Sequence, residues 1–207
     1  DGRELKSEKI TKDCWKIFSK NDSQVILRYE YYANELNAGS TFTDEKQLYV
    51  NPVNCLVYVP EKISEECRVE LNIAADWKIA CALKKEKPHL LFAENFDKLA
   101  DSPFIASPTL KQRSFILDGV EFHLWFQGPT HLDWSKIISD FFIFVNEQMN
   151  VYGSFPSREY HFLFQILPQK FYHGVEHTES TVIALGPAHK LMEGEVYNDF
   201  LGVSCHE

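Results

Sequence analysis

No excess of positive charge is present in this sequence: lysine and arginine number 21 against 30 aspartates and glutamates, a formal charge of −9. Without a cationic stripe to follow a phosphate backbone, nucleic acid is not expected as a partner. Long apolar runs are missing too. The stretch 141–145 (FFIFV) is among the longest, far short of the roughly 20 residues that span a bilayer. No charged-then-apolar leader opens the chain, so no membrane partner is expected. The five cysteines, Cys14, Cys55, Cys67, Cys81 and Cys205, are odd in number and widely spaced, with no CxxC pair. That spacing excludes a zinc finger and reads as reduced thiols packed as small apolar groups. Internal repeats and low-complexity tracts are absent as well. What remains is 207 residues, 44% hydrophobic and 14% aromatic, a composition that folds into one large or two small domains.

The period of the hydrophobic pattern changes once. Up to about Gly128 the apolar segments are short and rich in β-formers: residues 24–33, 55–59, 67–73, 77–83, 114–117 and 120–126. Turn formers separate them. In CRVELNI, Cys67, Val69, Leu71 and Ile73 alternate with Arg68, Glu70 and Asn72, giving one wet and one buried face. Such strands at short intervals predict an antiparallel β-sandwich over residues 1–128, with one short helix at 95–100. After Gly128 the period becomes helical. Asp133 caps a predicted helix over 134–150, in which Ile137, Ile138, Phe141, Phe142, Val145 and Met149 form one apolar stripe. Residues 160–167 (YHFLFQIL) read as a buried strand, followed by a glycine-containing turn and a second strand over 180–185. Residues 193–207 read as a last helix with Val196, Phe200, Val203, Leu201 and Cys205 facing inward. The fold class is thus α+β, with a boundary near 128.

That last helix reaches Glu207 with no stop signal, and the first residue is Asp1 rather than Met. The chain is therefore expected to be a fragment of a longer protein. A partly uncovered stripe on the 134–150 helix and a partly uncovered Val196/Phe200 face would then favour self-association.

Two short constellations carry chemistry. His206-Glu207 would open an H-E-x-x-H motif, in which histidines at i and i+4 share a helix face and bind zinc while the intervening glutamate acts as general base. Alone, the pair is what chance supplies in a chain of this composition. Gly174-Val175-Glu176-His177 lies between two predicted strands. The glycine would let a peptide backbone approach, and the acid would hold an α-ammonium group; the same residues also describe an ordinary turn with an exposed carboxylate. His123 reads as a hydrogen-bonded core or edge histidine, and His161 and His173 as surface or strand-edge residues. Cys205 has no base placed beside it and reads as a packed thiol.

Longer stretches carry a family resemblance. VILRYEYYANELNAGSTFTDEKQLYVNP, VELNIAADWKIACAL, LFAENFDKLADSP, REYHFLFQILPQKFYHGVEHTESTVIAL and FLGVSCHE occur in that order. Nearly the whole chain resembles the glycyl aminopeptidase family of zinc metallopeptidases, a bacterial and archaeal group with a thermolysin-like catalytic domain usually followed by a PDZ domain. The resemblance implies that residues 129–207 form the first part of such a domain, cut inside the zinc helix. It implies His206 as a zinc ligand and Glu207 as catalytic base. Glu176 would recognise the amino terminus of a peptide substrate, with Gly174 and Val175 along the substrate backbone. The family's first amino-terminal strands, expected before Asp1, and the second histidine, the third ligand, the oxyanion donor and the PDZ domain have no counterpart here. On this reading the parent is a zinc aminopeptidase of the bacterial cytoplasm or periplasm, while this chain holds no catalytic zinc and hydrolyses nothing. A non-catalytic β-sandwich interaction module is the alternative; it does not account for the order of the Gly-x-Glu-His, Ser-Thr and His-Glu segments.

Overall fold

The computed structural model describes residues 3–19 and 24–207. The chain divides into two units, Asp1–Tyr32 and Ala33–Glu207. In the first, β1 (Ser7–Lys9) and β2 (Trp15–Ile17) form an antiparallel hairpin. Residues 24–33, expected as a strand, belong to no named strand among the described residues. The Ala33 carbonyl accepts from the Thr43 N–H at 3.1 Å at the end of this segment.

The second unit begins with β3 (Phe42–Thr43), β4 (Leu48–Val50), the one-turn helix α1 (Pro52–Cys55), β5 (Cys67–Glu70), β6 (Lys78–Ala80), β7 (Lys84–Lys87), β8 (Leu90–Ala93), α2 (Phe96–Ala100) and β9 (Phe104–Ser107). These strands make two antiparallel sheets, ordered β3-β4-β9-β6 and β5-β8-β7. Both contribute to one core that includes Val50, Ile79, Leu91, Ala93, Phe104 and Ala106. The expected alternation in residues 67–73 holds in β5, where Cys67 and Val69 are half-buried and Arg68 and Glu70 exposed. The strand expected over 55–59 does not form. Pro52 starts a helical turn ending at Cys55, and Val57, Tyr58 and Val59 stand about half exposed.

Next come β10 (Lys111–Leu117), β11 (Val120–Gln127), α3 (Trp134–Tyr152), β12 (Glu159–Ile166), β13 (Phe171–Glu176), β14 (Ser180–Gly186) and α4 (Gly194–His206). They build a five-stranded mixed sheet in the order β10-β11-β12-β14-β13. β11, β12 and β14 run parallel, while the outer pairs β10/β11 and β13/β14 are antiparallel. One face, through Phe122, Phe126, Phe162, Phe164 and Ile183, packs on Ile137, Phe141 and Val145 of α3 and on Tyr197, Phe200 and Val203 of α4. The other face, through Leu163, Leu167, Val182 and Ala184, packs on Tyr49, Ala80, Ile105 and Leu110. Burial on both faces explains why YHFLFQIL is apolar without alternation.

The helix over 134–150 is confirmed as α3. Asp133 accepts from the Lys136 backbone N–H at 3.1 Å at its start, and Gly153 closes it at φ 87°. The expected boundary at 128 is not a structural one. β10 and β11 lie before it, yet β11 pairs in parallel with β12 over seven residues, Glu121 to Gln127. The change of period marks the switch from hairpin to crossover connection, inside one sheet. The stripe expected to lie partly open is buried at Ile137, Phe141, Val145 and, on α4, Phe200, while Phe142 of the stripe and its neighbour Ile143 are exposed. Cys205, expected inside, is exposed, because it falls off the face carried by Tyr197, Phe200, Val203 and Ser204.

Candidate active site

β13 is the last strand of the mixed sheet, and its outer edge pairs with no strand among the described residues. The segment expected as a turn is thus part of a strand: Gly174 pairs with Ile183, Val175 with Val182 and Glu176 with Thr181. Only His177 belongs to the turn, its N–H donating to the Ser180 carbonyl at 2.8 Å. The sequence concealed the strand because its exposed positions, Tyr172, His173 and Glu176, break the apolar pattern, as edge strands generally do.

The turn after Glu176 is anchored from α2. Asp101, at the C-cap of that helix, accepts from the Thr178 backbone N–H through Oδ2 and contacts His177 Nδ1 through Oδ1, each at 3.0 Å. Burial alone would raise the Asp101 pKa, but the Thr178 and His177 hydrogen bonds outweigh it and hold the carboxyl below its ordinary value. Lys98 of α2 also ion-pairs with Glu179 in the same turn.

α4 supplies the facing groups. Tyr197, Phe200 and Val203 fix the helix on the sheet, the Tyr197 hydroxyl donates to Asp140 Oδ2 at 2.7 Å, and Gln148 Nε2 of α3 donates to the Cys205 carbonyl at 2.7 Å. The last turn presents His206, whose imidazole is exposed, and Glu207 directly after the helix. Glu207 turns back over β13. A Cβ built on Gly174 would overlap its carboxylate and lie 2.8 Å from its Cγ. The Glu207 carboxyl shares a hydrogen bond with Glu176, and its pKa is raised, first by burial and then by the Glu176 charge; His206 and His177 oppose the shift.

The structure thus brings Gly174, Glu176 and Glu207 together, with Val175 between the first two on the strand and His206 adjoining Glu207. Sequence reasoning missed Tyr160 of β12. Burial and the charges of Glu207, Glu176 and Asp101 push its phenol pKa up, which marks it as a neutral neighbour of the acid pair. No spacing signal singles it out, since it sits in an apolar strand. His161, expected near the surface, is buried because the preceding strands cover that face of the sheet. His123, expected to be hydrogen-bonded, has both ring nitrogens buried without a hydrogen-bond partner among the described residues. His173 does lie on the edge strand, its Nδ1 accepting from the Ala38 backbone N–H at 3.3 Å.

A solved aminopeptidase N family protein from Idiomarina loihiensis superimposes over 98% of this chain with a TM-score of 0.81 and 25% sequence identity. The match takes in 36% of that protein, so this chain spans little more than a third of its length. An M1 zinc metallopeptidase from Deinococcus radiodurans aligns over 57% of this chain and 29% of its own, with 13% identity and a TM-score of 0.38. No curated protein matches in sequence. The family defined as the Peptidase M61 N-terminal domain matches residues 1–108, just over half of the sequence. With β3 to β9 inside the matched region, the chain belongs to the Peptidase M61 N-terminal domain family.

Proposed function

We propose that this chain is a portion of a zinc-dependent aminopeptidase, in which β13 receives the peptide and the end of α4 brings the catalytic groups to it. The mixed sheet with α3 and α4 would open a thermolysin-like catalytic domain. The observation that carries this reading is the contact of Glu207 with Gly174 and Glu176. It joins two sequence segments that resemblance alone had connected.

Chemistry follows from the groups present. The free edge of β13 offers backbone N–H and C=O groups that an extended peptide pairs with. Gly174, lacking a side chain, leaves the room in which the Glu207 carboxylate lies against the strand. Glu176, at the end of the strand, would accept a charge-assisted hydrogen bond from the α-ammonium of the peptide's first residue. Glu207, within reach of the same space, would accept the proton of the attacking water.

Zinc fits this chain in part. An exposed imidazole on the last turn of α4, followed by a carboxylate, provides the donor and base types that a hydrolytic zinc requires, whereas a catalytic site takes three protein ligands. His206 would be one of them, and the others would come from outside this chain. When bound, the metal supplies Lewis-acid polarisation of the scissile carbonyl. This chain alone is therefore expected to hydrolyse no peptide.

The test uses the longer protein. It should cleave amino acid arylamides with a free α-amine and leave the N-acetylated compounds intact. Glu176→Gln should raise KM at least tenfold, since a hydrogen bond to a charged group is worth about 1.5–3 kcal/mol, and His206→Ala should abolish turnover. Equal cleavage of acetylated and free substrates would exclude the aminopeptidase reading.

A further inference from the structure

The opposite face of the mixed sheet carries a polar cluster that the peptide-binding edge does not use. In a strand, residues two apart share a face, so Glu121 and His123 of β11 point the same way, as do Glu159 and His161 of β12. The parallel register sets Glu121 beside Glu159 and His123 beside His161. The two imidazoles stack with centroids 4.4 Å apart. Glu159 Oε2 lies 3.9 Å from His123 Nε2 and 3.7 Å from His161 Nε2, and Glu121 Oε1 lies 3.8 Å from His123 Nδ1. Two imidazoles therefore face two carboxylates across a space where no hydrogen bond joins them.

Burial decides what this arrangement is for. His123 and His161 keep 15% and 8% of their side-chain surface, and Glu159 keeps 64%, so the acid forms a solvent-facing mouth and the imidazoles the floor. Both His123 nitrogens are buried and unpartnered among the described residues, a costly condition that native proteins maintain only for a reason.

We infer that His123, His161 and Glu159 form a binding site for a divalent cation of borderline softness, such as zinc, with Glu121 adding negative charge at its rim. The donor set of two imidazole nitrogens and one carboxylate oxygen is the one such ions select. Their ligand atoms lie within 4.8 Å of one another, while bonds of about 2.1 Å bridge donors up to about 4.2 Å apart. The two carboxylate-to-imidazole distances already satisfy that limit. Rotation of His123, which has no hydrogen bond to lose, closes the remaining one.

A competing group sets the cost of loading. Trp125 Nε1 donates to His161 Nδ1 at 3.2 Å, so neutral His161 carries its proton on Nε2, the atom facing Glu159. Binding a cation there moves that proton to Nδ1 and displaces the tryptophan hydrogen bond. The site is accordingly one of moderate affinity, reached from solvent past Glu159.

Calorimetric titration of the 207-residue chain with zinc chloride, after treatment with chelator, tests the inference. One zinc per chain is expected with micromolar affinity, unchanged in His206→Ala. The affinity should weaken at least tenfold, the scale on which metal sites respond even to their supporting groups, in both His123→Gln and Glu159→Gln. Two-bond 15N spectra should show the His161 proton passing from Nε2 to Nδ1. Glu159 is largely exposed, so its variant keeps the fold, which a thermal melt verifies. Absence of binding below millimolar zinc, unchanged affinity in either variant, or loss of binding in His206→Ala would overturn the assignment.

Discussion

A methyl group at Gly174 and a methyl group at Gly128 meet different obstacles. At Gly174 the obstacle is the Glu207 carboxylate, the far end of a flexible side chain. At Gly128, where φ is +119°, the added carbon would overlap the Ile166 carbonyl oxygen and lie 3.0 Å from the carbon that bears it, and backbone cannot step aside. Gly174→Ala should thus leave the thermal midpoint nearly unchanged while swinging Glu207 away from Glu176. The Glu207 pKa, measured by NMR, should fall towards the ordinary glutamate range, because both the burial and the neighbouring charge that raise it are reduced. Gly128→Ala should cost about 1–3 kcal/mol, the strain of a non-glycine residue in a disfavoured backbone region, with overlap added. These residues show what sequence reading reaches at this scale. Short motifs single out Gly174, Glu176, His206 and Glu207 as candidates and family resemblance supplies their expected roles, whereas the overlap of Glu207 with Gly174 depends on how the end of α4 meets β13.

At the scale of elements, legibility followed length. α3 and α4 bury long periodic stripes, so their sequences announce them. The two- to four-residue strands β3, β4, β7, β8 and β9 are too short for any period to show, and β13 is an edge strand with polar residues outward. The short elements nevertheless anchor the candidate site, since α2 is tied to the β13–β14 turn through Asp101 and Lys98. Asp101 ionises more readily in the folded chain than its ordinary value of 3.8. A carboxyl whose pKa is depressed on folding adds stability above the unfolded pKa, and that stability is lost as pH falls through the folded one. Asp101→Ala should destabilise the chain by about 1 kcal/mol at neutral pH, since it leaves the Thr178 N–H without its acceptor. The gap between variant and parent in chemical denaturation should stay constant down to about pH 4 and close below it. A gap that did not narrow at all as pH fell below about 4 would mean that the ionised carboxylate is not what holds the turn.

On the scale of the molecule, the sheet that crosses position 128 makes residues 33–207 one unit. Cutting there would strip β12 from β11 and remove the partners of Phe122, Leu124 and Phe126, all essentially fully buried. The Phe126 ring alone stacks on Phe164 at 4.5 Å and packs near Phe200 at 5.9 Å. Exposing three such side chains costs about 1.5–3 kcal/mol each, a sum comparable with the roughly 5–15 kcal/mol that holds a whole domain together. The opposite face would suffer as well, because Tyr49 and Ile105 pack on Leu163 and Val182. A polypeptide ending at residue 128, although it contains the whole region matched to the M61 N-terminal family, should therefore show no cooperative unfolding in urea. The 207-residue chain should show one transition for residues 33–207, with far-UV circular dichroism and tryptophan fluorescence coinciding. A shortened chain that unfolded cooperatively at the parent midpoint would restore a domain boundary at 128, and the sheet would then have to be read as two independently stable pieces that merely adjoin.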